Sequence, residues 1–253
     1  MLTKCRIFAI FTVLLVLCGC SGNKGTQPGN VHLCNYKNIA ITEEMYLVSE
    51  ADLNTAMTMY AISTDASLED YTGLTDEIAT KYYGYDTVID LREQALLDIV
   101  SHRIVEAVYE QILMNSHMDF HANDSHFERY YSNRMSSIDF LSKQTGTTVA
   151  LFLEHNYQMT VAEFTESEID FYVTVCIIKE ILDAENQSDL QTDIDSARSS
   201  IAQELGCSVD ETYKILLDED LFYSIAESKI HELIIEWYAD DITAAYTAAK
   251  QAL

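Results

Sequence analysis

Proline, glycine and basic residues are scarce in this chain, and each scarcity narrows what it can be. The 253 residues hold one proline, eight glycines and 15 Lys+Arg against 41 Asp+Glu, a formal net charge of −26. Pro28, Gly22, Gly25 and Gly29 all fall in "SGNKGTQPGN" (residues 21–30), so the body from Val31 onward has only Gly73, Gly84, Gly146 and Gly206. Sheet proteins need many tight turns built from such residues, so the body reads as mostly helical. Too few cations argues against nucleic acid, whose phosphates require Lys and Arg to displace counterions. The same deficit argues against a body lying flat on an anionic membrane. There is no Cys-x-x-Cys pair, glycine-rich phosphate loop, Gly-x-Ser-x-Gly or His-Glu-x-x-His. Zinc-ribbon, redox, nucleotide-binding, serine-hydrolase and zincin chemistries therefore find no support.

What is present begins with "VLLVLCGCSGN" (residues 13–23). Lys4 and Arg6 give a positive start, residues 7–17 form an apolar run, and Cys18-Gly19 are small residues at a cleavage point. The run is shorter than the roughly 20 residues that span a bilayer. Leu-Cys-Gly-Cys resembles the bacterial lipoprotein box, in which the last cysteine, Cys20, takes a diacylglyceryl group and becomes the N-terminus. Residues 1–19 are thus expected to be a lipoprotein signal peptide and residues 20–30 a flexible tether. The alternative is ordinary cleavage near Gly19 that leaves a thiol at Cys20. Removing the signal takes away two positive charges and moves the net charge from −26 to −28. Cys34, Cys176 and Cys207 remain, an odd number that gives no complete disulfide framework.

The body carries repeated helix grammar. Gly84, Gly146 and Gly206 stand where helices end. Ser49 with Asp52, Thr87 with Asp90, Thr160 with Glu163 and Ser208 with Glu211 have the spacing of N-terminal caps. Apolar residues recur at helical intervals, as in Val88, Leu91, Ala95 and Ile99, or Ile169, Val173, Ile177 and Ile181. A long final helix is expected over about residues 220–249, with an extended segment before the first helix.

Two groups of side chains invite a functional reading. "HMDFHANDSH" holds His117, His121, His126, Asp119 and Asp124, ligand types that suit a transition metal. Its "HANDS" core reads instead as a loop capped by Asp124 or Ser125, so no metal and no cofactor is expected, and a metal-dependent enzyme built on His117, His121 and His126 is the third choice. Asp218, Glu219 and Asp220 read as a solvated helix start. The other group is apolar and amphipathic. Met57 and Met59 beside Tyr60, the pairs Tyr82-Tyr83 and Tyr130-Tyr131, and Phe152 with Tyr157 offer flexible and half-wet surfaces of the type promiscuous binders use. For any single tyrosine the competing reading is ordinary core packing.

"GLTDEIATKYYGYDTVIDLREQALLDI" (residues 73–99) resembles the opening of the C-terminal domain of trigger factor, the bacterial folding chaperone. Similarity continues through "YEQILMNSHMDF", "FLSKQTGTTVALFLEHNYQMTVAEFTESE" and "AQELGCSVDETYKIL", and the preceding "LCNYKNIAITEEMYLVSEADLNTAM" resembles that family's linker. The resemblance spans about residues 33–250. It implies an all-α fold, an elongated cradle of helical hairpins, with a linker segment and helix over 31–72 and a chaperone domain over 73–253. Only "STDASLEDYTG" separates the linker helix from Leu74, too short for the family's isomerase domain, and the ribosome-docking domain is replaced by the signal. The implied function is a lipid-anchored extracytoplasmic chaperone or holdase for unfolded or exported polypeptides, not an enzyme, with no ribosome contact. The alternative is a surface lipoprotein that docks one specific protein.

Overall fold

The computed structural model describes residues 29–64, 70–120 and 124–253, so Cys20, the signal and His121 lie outside the described residues. The fold is all-α apart from one two-stranded ribbon. In chain order the elements are β1 (Val31–His32), α1 (Glu43–Tyr46), α2 (Glu50–Thr64), a 3-10 turn (Tyr71–Gly73), α3 (Asp76–Ile78) continuing into a π turn (Ala79–Tyr83), and α4 (Val88–Asn115). There follow β2 (His117–Met118), α5 (Ser125–Thr145), α6 (Val149–Tyr157), α7 (Val161–Ala184), α8 (Gln191–Leu205), α9 (Val209–Thr212), α10 (Asp218–Trp237) and α11 (Ala239–Ala252). Among the described residues no helix is long and apolar enough to cross a membrane.

Local chemistry explains where these helices start and stop. Thr160 accepts from the Glu163 N–H while the Glu163 carboxylate accepts from the Thr160 N–H, and Ser208 with Glu211 does the same. Thr87 with Asp90 and Ser49 with Asp52 close the corresponding pairs at α4 and α2. Each such cap satisfies N–H groups that a helix start leaves without partners, and contributes about 1 kcal/mol. At the other end Gly146 turns left-handed at φ 71°, and the Thr147 N–H reaches back to the Ser142 carbonyl at 2.9 Å.

The chain divides into two compact units. One comprises Asn35–Ile112 and His231–Leu253. Its core is the inward stripe of α4 (Leu91, Ala95, Val100, Ile104, Val108, Ile112), joined by Leu53, Met57 and Ala61 of α2 and by Ile242, Ala245 and Ala249 of α11. Here the expected single final helix is corrected. It breaks at Tyr238 (φ −112°, ψ 20°), giving α10 and α11. The cause is a buried phenol: Tyr238 Oη donates to the Tyr36 carbonyl at 2.9 Å and accepts the Ile39 N–H at 2.7 Å. Those bonds hold Tyr238 against the 36–39 segment and out of helical register.

The other unit comprises the described residues up to Cys34 together with Leu113–Ile230. Helices α5, α6 and α7 pack on one another, α8 packs with α9, and the β1–β2 ribbon lies against α7. Phe152, Leu153, Ile178, Ile181, Leu182 and Leu221 are almost fully enclosed. Cys176, also buried on α7, has its thiol pushed up to about 12 by burial, so it is inert packing and not a nucleophile.

Candidate functional site

In the unit built on α2 and α4, tyrosine geometry decides what remains exposed. Tyr83 in the π turn donates to the Tyr60 carbonyl at 2.6 Å and meets Thr64 Oγ1 at 2.6 Å and Ser63 Oγ at 2.9 Å. Its ring sits edge-on to Tyr60 at 5.0 Å, and Tyr60 Oη donates to Asp98 at 3.3 Å. Burial, reinforced by the Asp98 charge, raises the Tyr60 phenol above its ordinary range. Tyr60 and Tyr83 are therefore posts that tie the π turn to the C-terminal end of α2. Around that joint, Met59 is 62% exposed, Ile62 40% and Tyr82 53%. Met59 and Ile62 lie three residues apart on one helix face, and Tyr82 is held to the same end of α2 by its neighbour. Leu47 and Ile89 add exposed apolar side chains in the same unit.

The remaining sequence candidates fall differently. Met57, Tyr130 and Phe152 are core residues, exposed by 1%, 3% and 1%, so they offer no binding surface. Tyr157 is half-buried between Phe152 and Phe164, and Tyr131 is half-buried with its hydroxyl on Thr165 at 2.6 Å. His126 sits in the first turn of α5, its N–H accepted by the Asp124 cap at 2.8 Å, while His117 faces outward on β2. Among the described residues His117 is grouped with His32 and Asp119, not with His126.

Sequence reasoning missed the second notable site. In the α5–α10 unit, Arg134 is buried between two carboxylates. Its guanidinium forks onto both oxygens of Asp220, with one bond at 3.1 Å, and its Nε donates to Glu168 at 3.2 Å. Tyr130 Oη donates to the same Glu168 carboxylate. Burial opposes the Arg134 charge, but Asp220, Tyr130 and Glu168 overcome it and hold the cation firmly protonated. Burial raises Glu168, with Arg134 pulling the other way. The acidic start of α10 is thus not solvated as expected: Asp220 is fully enclosed and also accepts the Leu217 N–H at 2.9 Å.

Beside this network opens a cleft of about 500 Å³, lined by Asn133, Ser136 and Phe140 of α5 and by Tyr213, Lys214 and Glu219. Burial pushes the Glu219 carboxyl up to about 8, and the charges of Asp220 and Asp218 add to the shift. The shift favours the protonated carboxyl at neutral pH, a form able to donate a hydrogen bond. The serine hydroxyls of the lining donate to helix carbonyls (Ser136 to Ser132, Ser137 to Asn133), and no histidine lines the cleft. The arrangement can hold a polar ligand but contains no nucleophile paired with a base.

Comparison of the chain with protein-family models, with curated proteins and with solved structures gives no match.

Proposed function

We propose that this chain is a lipid-anchored extracytoplasmic holdase that binds unfolded or newly exported polypeptides, with no isomerase activity of its own. The observation that carries the reading is the exposure of Met59 and Ile62 near the end of α2 and of Tyr82 in the π turn, on either side of a joint stiffened by Tyr60 and Tyr83. Fully covering a side chain of this size contributes about 1.5–3 kcal/mol, and these three are already about half covered, so each adds roughly 1 kcal/mol. Together they reach only the low end of the 4–15 kcal/mol that association costs. Binding on these terms is weak, tolerant of sequence and quickly reversed, as a holdase requires. The lipoprotein signal supports placement at the membrane through Cys20, and the trigger-factor resemblance supports polypeptide clients.

A second reading, docking of one defined partner, draws support from the polar cleft beside Glu219, whose Tyr213 and Lys214 suit a specific ligand. The two are separated with the full lipoprotein in lipid nanodiscs, added to several unrelated, chemically unfolded proteins. The holdase reading expects less aggregation at near-stoichiometric amounts for most clients, and an unchanged proline-limited refolding phase. Protection of none of them would favour the single-partner reading, and a faster proline phase at catalytic amounts would reveal an isomerase site.

A further inference from the structure

The ribbon β1–β2 gathers metal-ligand side chains from opposite ends of a long stretch of sequence. Its antiparallel register places His32 opposite His117 and Val31 opposite Met118, and the Asp119 N–H extends the ladder to the Asn30 carbonyl at 3.0 Å. Side chains alternate along a strand, so His117 and Asp119 share a face, and cross-strand pairing adds His32 to it. Burial follows that alternation: Met118 is enclosed, while His32, His117 and Asp119 are exposed. On the outer face the two imidazoles stack at 4.7 Å, and His32 Nε2 lies 3.0 Å from Asp119 Oδ2.

We propose that His32, His117 and Asp119 form a binding site for a divalent transition metal of the zinc, nickel or copper class. One ligand atom from each residue lies within 4.8 Å of the others. Bonds of about 2.0–2.2 Å to a tetrahedral ion would set the donors roughly 3.3–3.5 Å apart, so closing the site takes only small rotations of exposed side chains. Two imidazoles and one carboxylate select these metals over magnesium or calcium, which prefer all-oxygen shells. The bound ion replaces the proton between His32 and Asp119 and leaves one coordination position for water or a partner's ligand. Because β1 contributes one ligand and β2 with the residue after it contributes two, the metal clips the segment at residues 29–32 onto the body. This binding is independent of the holdase reading.

The close approach of the two strands supports a built site. Gly29 has φ +51°, and a Cβ there would stand 2.5 Å from the Asp119 carbonyl oxygen, so only glycine lets the chain enter the ribbon at this point.

The test is calorimetric titration of zinc chloride into the full lipoprotein in nanodiscs, with excess magnesium present to saturate the acidic surface. Tetrahedral absorption of cobalt(II) reports the donor set in parallel. One zinc per chain is expected. His32→Ala and His117→Ala should each weaken binding by about tenfold or more, while His126→Ala and Cys34→Ser leave it unchanged. Circular dichroism confirms that the variants fold, as their exposed positions predict. Slower amide exchange in β1 on adding zinc is the second expected result. Absence of zinc binding above the magnesium background, binding that survives both His32→Ala and His117→Ala, or binding lost with Cys34→Ser would overturn the proposal.

Discussion

Arg134 ties α5 to α7 and α10 through two carboxylates, Glu168 and Asp220. Its guanidinium neutralises carboxylates that cannot reach water, and a buried charge left alone costs far more than a pair contributes. Arg134→Met should lower unfolding free energy at pH 7 by about 3–5 kcal/mol, read from urea denaturation. The loss should shrink in mild acid, where Glu168, whose carboxyl burial already raises, escapes by protonation. Glu219 makes a prediction of its own. Its folded carboxyl titrates at about 8 while an unfolded glutamate titrates near 4.3, so between those values the folded state keeps a proton that the unfolded state has released. Stability from this group is present in acid and is lost as pH rises toward 8, by on the order of 1 kcal/mol per pH unit. Glu219→Gln should flatten that fall and stabilise the protein at pH 8, as thermal melts across pH would show. None of this was legible in sequence. Arg134 is 34 residues from Glu168 and 86 from Asp220, and an acid triplet at a helix start looks solvated until another helix covers it.

At the scale of elements the sequence was far more informative, because helix ends are set by residues three positions apart. Thr160 with Glu163 and Ser208 with Glu211 form the reciprocal caps their spacing implies, and Gly84, Gly146 and Gly206 take the left-handed conformation that ends a helix. The break at Tyr238 was not visible, because alanine-rich sequence on its far side propagates a helix well and the cause is a bond to residues about 200 positions away. The extended segment expected before the first helix overlaps β1 at His32, but its pairing with β2 was hidden, two-residue strands being too short for any periodicity and their register being fixed across the fold. Gly29 gives this element its prediction. Gly29→Ala forces a Cβ against the Asp119 carbonyl, so residues 29–32 should separate from β2 and lose amide protection, with the helical content unchanged. Hydrogen exchange resolved by residue would detect it.

For the whole molecule, charge and attachment carry the account. A chain at −26 stays soluble while it exposes apolar side chains, since copies repel one another. A diacylglyceryl group supplies two acyl chains, enough for stable anchoring where one is marginal. If Cys20 is the anchor, Cys20→Ala should abolish lipid labelling and change or block signal processing. Of the residues first read as a client surface, Met59 and Tyr82 are the ones the fold leaves open, whereas Met57, two positions from Met59, points into the core. Residue type alone does not separate an exposed methionine from a buried one; the four-residue spacing of Leu53, Met57 and Ala61 marks the buried stripe and leaves Met59 off it. The central claim is that this exposed end of α2 holds unfolded chains, and site-specific photo-crosslinking tests it most directly. A photoreactive amino acid is placed at Met59, Ile62 or Tyr82 in the full lipoprotein, with Val209 on the exposed part of α9 as the control. The account predicts crosslinks to several unrelated unfolded proteins from all three positions, lost once those proteins fold, and little from Val209. Equal labelling from Val209, or no crosslinks from the three positions, would contradict it.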